Sequence, residues 1–199
     1  MRRNHNKETI IQAGLEIILQ RGFNGTGVEA ILKRANVPRG SFYNFFSSKE
    51  EFGLAIIDDF AEQLNDIMQT ALGDTSLDPL KRIKNCFEKF IEIVETNNCN
   101  GGCLLANLSL EMADTCETFR HRLDEAWHHM AMAFTSVLLE AQKGKTISAE
   151  LDPEMLAENL VSSYEGALLR AKVKKSTEPL KNFVHLYFDN FLSQRKEET

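Results

Sequence analysis

No apolar run in this sequence approaches the roughly 18 residues that a bilayer-crossing helix needs. The first nine residues, MRRNHNKET, carry charge without the apolar stretch of a signal peptide. Cysteine is scarce: Cys86, Cys99, Cys103 and Cys116 stand at uneven spacing in a chain that is 43% hydrophobic. Such a chain can build a core and needs no disulfide scaffold. Sustained strand alternation, internal repeats and low-complexity tracts are all missing. So are a phosphate-cradling glycine loop, a nucleophile elbow and a clustered catalytic dyad, which argues against an enzyme. A metal site is disfavoured too. Cys99 and Cys103 are spaced CxxxC with no second ligand pair at zinc spacing, and His121, His128 and His129 share one predicted helix. The expectation is a cytoplasmic, all-α protein of about nine helices, without cofactor, metal or membrane attachment.

Acidic residues outnumber basic ones, 29 to 23, but the excess is not spread evenly. Residues 1–50 hold eight Lys and Arg against four Asp and Glu, and residues 51–199 hold fifteen against twenty-five. A basic head of +4 on an acidic body of −10 fits a protein whose head meets a polyanion that its body repels. The boundary is expected near residue 48, giving domains 1–48 and 49–199.

The stretch TGVEAILKRANVPRGSFYNFFSSKEE, residues 26–51, is where the head is most legible. Thr26 and Glu29 are spaced as a capping box. Val28, Ile31, Leu32 and Ala35 follow at i, i+3, i+4 and i+7, one face of a helix. Asn36 suits a left-handed turn position. Pro38 stops the first helix and suits the start of the second. Phe42, Phe45 and Phe46 face inward there, which leaves Arg39, Ser41, Tyr43 and Asn44 outward and Gly40 open to a partner backbone. That outward set is polar, partly cationic and free of carboxylates. It suits phosphates and base edges, and a helix-turn-helix carries its second helix into the major groove. Thr26, Lys49 and the basic pair Arg2 and Arg3 complete the expected DNA-binding set. Tyr43 and Lys49 are assigned to phosphates and Arg39 to a base edge.

Residues 21–52, RGFNGTGVEAILKRANVPRGSFYNFFSSKEEF, resemble the N-terminal DNA-binding domain of the TetR family of transcriptional repressors. The landmarks are Gly22-Phe23, Thr26, Ala35-Asn36-Val37, Gly40, Tyr43-Asn44-Phe45-Phe46 and Lys49-Glu50. Most members carry Gly at the position of Asn36 and His at that of Asn44, and both replacements keep the physical role. The resemblance implies double-stranded DNA as partner, a palindromic operator, a small-molecule effector and a two-fold homodimer joined by a four-helix bundle.

On both sides of this stretch the helical pattern continues. Gly22 ends a first amphipathic helix with Phe23 in the C-cap contact. Ser48 and Glu51 form a second capping box ahead of a long helix to Leu72. Asp78-Pro79, Asp114 with Glu117, Asp152-Pro153 and Glu178-Pro179 open further helices, the third running to about Lys174 and the last expected over 178–192. On that last helix Phe183, Val184, Tyr187, Phe188 and Phe191 make a stripe wide enough for a core and a partner. Its neighbour offers Ser163, Gly166 and Ala167 for close packing. The two are the expected dimer interface; alternatively they finish the protomer core. Trp127, Met130, Phe134 and Tyr164 read as the lining of a pocket for an aromatic or amphipathic effector, or as plain core.

Cys103 follows Gly101-Gly102 at a helix start, where backbone amides and the helix dipole favour a thiolate. The diglycine should leave it open to approach. Cys86 reads as packing and Cys99 as an exposed loop thiol. GGCLLANLSLEMAD (101–114) and LLRAKVKKSTEPL (168–180) resemble the branch of TetR repressors that control N-ethylmaleimide reductase. There a cysteine matching Cys103 senses electrophiles and reactive chlorine, and a lysine matching Lys172 acts with it. The branch can carry a second cysteine ten residues later, where this chain has Ala113; Cys116 lies three residues beyond. Two other readings stay open at this point: Cys103 as an inert cap with a reversible hydrophobic ligand as effector, and Lys172 as a solvated lysine. A helical adaptor acting through protein contacts is the alternative of a different class.

Overall fold

The computed structural model describes residues 2–192, with side chains from residue 7 onward. Every regular element among the described residues is helical. In order they are α1 (Arg2–Arg21), α2 (Val28–Ala35), α3 (Gly40–Tyr43), α4 (Lys49–Leu72), α5 (Pro79–Thr96), α6 (Leu104–Met112), α7 (Glu117–Lys143), α8 (Pro153–Lys174) and α9 (Glu178–Val184). The last continues directly into a π-helical segment, His185–Phe191.

Local chemistry sets several helix boundaries. Asp78 accepts the Lys81 N–H at 3.2 Å ahead of Pro79. Asp152 accepts the N–H groups of Glu154 and Met155 at 2.9 and 3.2 Å ahead of Pro153. Each aspartate thereby satisfies amides that have no partner inside the helix. Asn36 ends α2 in the left-handed region at φ 53°, as its turn requires. Two expected boundaries differ. Thr26 and Glu29 form no capping box, because Gly27 is the N-cap of α2 and no side chain caps it. The helix expected from Asp114 starts at Glu117 instead. At α4 the box is split between two serines. Ser48 Oγ accepts the Glu51 N–H at 3.0 Å, while the Glu51 carboxylate turns to the N–H and hydroxyl of Ser47.

Packing divides the chain into two units, one of residues up to Gln63 with Cys103–Ala126, the other of Leu64–Gly102 with Trp127 onward. In the first of these units α6 and the start of α7 bury their apolar faces together with the helices of the head. In this first unit Ile10, Ile18, Ile31, Phe42, Phe52, Ile56, Leu104 and Phe119 are almost wholly buried. The Phe52 ring lies 5.2 Å from that of Phe42 and 5.0 Å from that of Phe46, and Phe23 meets Phe119 at 4.9 Å. Such tilted pairs favour aromatic quadrupoles. At Gly53 the helix backbone meets the last pair so closely that a Cβ would lie 2.4 Å from Phe119 and 2.6 Å from Phe23.

The second unit is built around Phe87. Phe134 stacks on it at 4.9 Å, Phe183 meets it edge-on at 5.0 Å and Tyr164 lies 5.2 Å away. Arg82 is buried at 3% exposure and pairs with Glu140. The single α-helix expected over 178–192 is corrected by the π segment. A wider turn rotates the side chains that follow it, so Phe188 and Leu192 point into the core while Phe191 is 43% exposed.

Candidate nucleic-acid interface and sensor

The reading surface rests on α2, the left-handed turn at Asn36, and α3. The Val37 N–H donates to Leu32 O at 3.2 Å, closing the turn. Phe42 and Phe46 plug α3 into the core at 0% and 2% exposure, with Phe45 half-buried. Tyr43 stands out at 62% exposure; Arg39, Gly40 and Asn44 are exposed and Ser41 is half-buried. These five are brought together. Arg2 and Arg3 begin α1, and their side chains lie outside the described residues.

Two expected contacts are corrected. Thr26 is only 1% exposed and its hydroxyl donates to Gly22 O at 2.7 Å, so the side chain builds the α1–α2 turn instead of facing outward. Lys49 turns inward as well. Its ammonium donates to Phe23 O at 2.6 Å and sits over the Phe23 ring at 4.4 Å. Partial burial pulls its pKa down, with Glu111 acting in the opposite sense. The outward face also holds a carboxylate, because Glu29 pairs with Arg39 at 3.2 Å, both side chains well exposed.

Glu111, on the last turn of α6, is the residue sequence reasoning missed. Its carboxylate accepts the Phe23 N–H at 2.7 Å and the Asn24 N–H at 2.6 Å. No local signal marks it, since its partners lie 87 and 88 positions away.

Cys103 is the N-cap of α6, with extended backbone at φ −86° and ψ 131°. It is not open. Leu104 and Leu105 pack into the core behind it and draw it to 8% exposure. Cys99, expected to be exposed, is 5% exposed. Its loop takes left-handed φ at Asn98, Cys99, Gly101 and Gly102. Two lysines of the same unit hold that loop. Lys172 donates to Gly101 O at 3.0 Å, and Lys175 donates to Cys99 O at 3.4 Å and to Asn100 Oδ1 at 2.7 Å. Lys172 is thus engaged rather than solvated. Cys86 is fully buried, and burial pushes its thiol up to about 12. Cys116 is half-buried and donates to Glu50 at 3.3 Å.

Phe134 and Tyr164 are packed against Phe87 as core, while Trp127 and Met130 are half-buried. The expected dimer set divides in the same way. Phe183, Val184 and Phe188 are buried within their own unit at 5–8% exposure. Ser163 and Tyr187 share a hydrogen bond of 2.8 Å, and Ala167 is half-buried. Gly166 is exposed with nothing near it, in line with Leu169 and Val173, at 58% and 79% exposure; Leu186 and Phe191 are exposed on the following segment.

Two family profiles match these regions. Residues 10–56 match the profile described as "Bacterial regulatory proteins, tetR family", and residues 79–187 that described as "Tetracyclin repressor-like, C-terminal domain". The chain belongs to the TetR family of bacterial regulators. It is similar to the HTH-type transcriptional repressor DhaR of Mycobacterium sp. (strain GP1), 33% identical over 96% of this chain and 95% of the relative. The HTH-type transcriptional repressor NemR of Escherichia coli (strain K12) is 30% identical over 88% of each chain. Among solved structures, the regulatory protein TetR from Rhodobacter sphaeroides superposes with a TM-score of 0.87 at 35% identity, covering 92% of this chain and 97% of that one. The reduced form of E. coli NemR does so with a TM-score of 0.82 at 29% identity, covering 90% and 93%. As a TetR-family member the chain is a DNA-binding regulator and not an enzyme. No helix among the described residues is long and apolar enough to cross a membrane.

Proposed function

We propose that the protein is a cytoplasmic, homodimeric repressor that binds a palindromic operator and leaves it when an electrophile or oxidant reacts at Cys103. The exposed set Arg39, Gly40, Tyr43 and Asn44 on the second helix of the turn supports operator reading, which a helical adaptor would have no reason to present. The exposed apolar line Gly166, Leu169 and Val173, with Leu186 and Phe191, supports pairing of two copies. Two heads about 34–36 Å apart then meet successive major grooves.

The observation that carries the sensor reading is the position of Cys103. It begins α6, which packs in the same unit as the reading head. With a maleimide the chemistry is conjugate addition. The thiol gives its proton to solvent, the thiolate sulfur forms a C–S bond to one alkene carbon, the π pair moves to the adjacent carbonyl as an enolate, and a proton from solvent completes the net addition of S–H. At 8% exposure the product cannot fit without displacing the start of α6. The same low exposure favours the second reading, a reversible ligand with no thiol switch. The likeness to NemR, of which a reduced form has been crystallised, supports the first.

The test is operator release on DNA upstream of the protein's own gene, read with thiol labelling by mass spectrometry. Wild type should label at Cys103 before Cys86 and should release operator under N-ethylmaleimide or hypochlorite. Cys103→Ser should bind operator and keep it, while Lys172→Ala should blunt release. Should Cys103→Ser respond like wild type, the reversible-ligand reading replaces the switch. Binding without sequence preference would favour the adaptor.

A further inference from the structure

The turn between α1 and α2, residues 22–27, meets groups from distant parts of the chain at Phe23 and Asn24. Glu111 Oε2 and Oε1 accept the consecutive N–H groups of Phe23 and Asn24 at 2.7 and 2.6 Å. Lys49 donates to the carbonyl of Phe23 at 2.6 Å. Both backbone groups of Phe23 are therefore engaged, the amide by α6 and the carbonyl by α4. Gly22 makes this possible. Its φ is +76°, and a Cβ there would lie 2.9 and 3.1 Å from the two Glu111 oxygens. Asn24 adds a contact from its amide nitrogen to Met112 Sδ at 3.6 Å.

Charge-assisted bonds of this length are about twice as strong as neutral ones and fix direction. Glu111 and Cys103 stand at opposite ends of α6, about 12 Å apart along its axis at 1.5 Å per residue. The helix between them is anchored by Leu104, Leu105 and Leu108 at 0–1% exposure. We infer that Glu111 is the positioning residue that ties the reading head to α6, so that a displacement of α6 is delivered to the recognition turn. Without the tie, α6 could move and leave the head where it was.

The experiment compares wild type, Glu111→Gln and Glu111→Ala as full-length protein. Gln keeps one neutral oxygen acceptor and puts an N–H2 donor in place of the other; Ala removes both acceptors. Three quantities are read: amide exchange at Phe23 and Asn24, operator affinity, and the ratio of operator affinities before and after N-ethylmaleimide modification of Cys103. Exchange should be at least tenfold faster in Glu111→Ala, with Glu111→Gln between. The ratio should fall at least tenfold towards one while the rate of Cys103 modification stays within twofold of wild type. A brace with no coupling role would lower both affinities alike and leave the ratio at its wild-type value, which would overturn the inference.

The ratio rests on the reading of Cys103 proposed above. If modified wild type keeps its operator, that reading fails, and Glu111 is judged by exchange and basal affinity alone. Basal affinity is then expected to fall at least tenfold in Glu111→Ala. Exchange or affinity within twofold of wild type overturns the tie.

Discussion

Gly53→Ala sets two opposing effects against each other at one atom. In a helix interior the change from Gly to Ala gains about 1 kcal/mol, because alanine loses less backbone freedom on folding. Here the added methyl would sit 2.4 Å from Phe119 Cζ and 2.6 and 3.0 Å from two atoms of Phe23. Both rings would have to retreat by about 1 Å to reach ordinary contact distance. Neither has room to do so, since Phe119 is 0% and Phe23 5% exposed, and the two rings bear on each other at 4.9 Å. Phe23 is further held by Glu111 at its amide and by Lys49 at its carbonyl. Overpacking of this kind costs about 1–3 kcal/mol. Crowding therefore wins by about 1 kcal/mol, which lowers the unfolding midpoint by about 2–4 °C for a chain of this size. Thermal unfolding followed by circular dichroism, at fixed protein concentration and without DNA, measures it. A midpoint raised by a few degrees would refute the reasoning, since it would mean that helix propensity acts there unopposed.

Arg39→Ala should cost about 1–3 kcal/mol on the operator and little on random DNA, because a base-edge contact is lost; competition binding on both DNAs measures it, and equal losses would remove the base-reading role. Glu29→Gln should strengthen binding to both DNAs, since it frees Arg39 and takes a carboxylate off the DNA-facing surface. Gly166→Ala should improve the helix by about 1 kcal/mol within the protomer, where nothing lies near the new methyl. On a close-packed dimer face the same methyl should weaken association, so sedimentation should show more monomer; an unchanged dimer constant would take Gly166 out of the interface. The hydrogen bond from Arg120 depresses Glu117 from 4.5 to about 2. A depressed carboxylate stabilises above its ordinary pKa and loses that contribution as pH falls through the depressed one. The first turn of α7 should thus keep this contact at pH 4.5 and lose it near pH 2, with a carboxylate NMR titration midpoint to match.

Much of the architecture was decided by short-range chemistry that a linear reading can follow. Asp78-Pro79 and Asp152-Pro153 open helices because a carboxylate and a missing N–H suit any helix start. Asn36 turns left-handed because a short polar side chain tolerates that backbone. The apolar periods around Phe42, Phe52 and Phe87 put those rings inside, and the helix-turn-helix string carried its family resemblance with it. What the sequence could not decide is where side chains go when distant partners compete for them. Thr26 had an amide three residues on as a candidate partner and took the Gly22 carbonyl. Lys49 had DNA phosphates and took the Phe23 carbonyl and ring. Cys99 sits among polar neighbours in the sequence, yet the fold buries it. The π segment after Val184 turned Phe191 out and Phe188 in, a change of period invisible in a stripe that reads equally well as α-helix. Glu111 is the clearest case. Nothing near it in the chain distinguishes it from any solvated glutamate, and only the fold brings it to two amides from the other end of the unit.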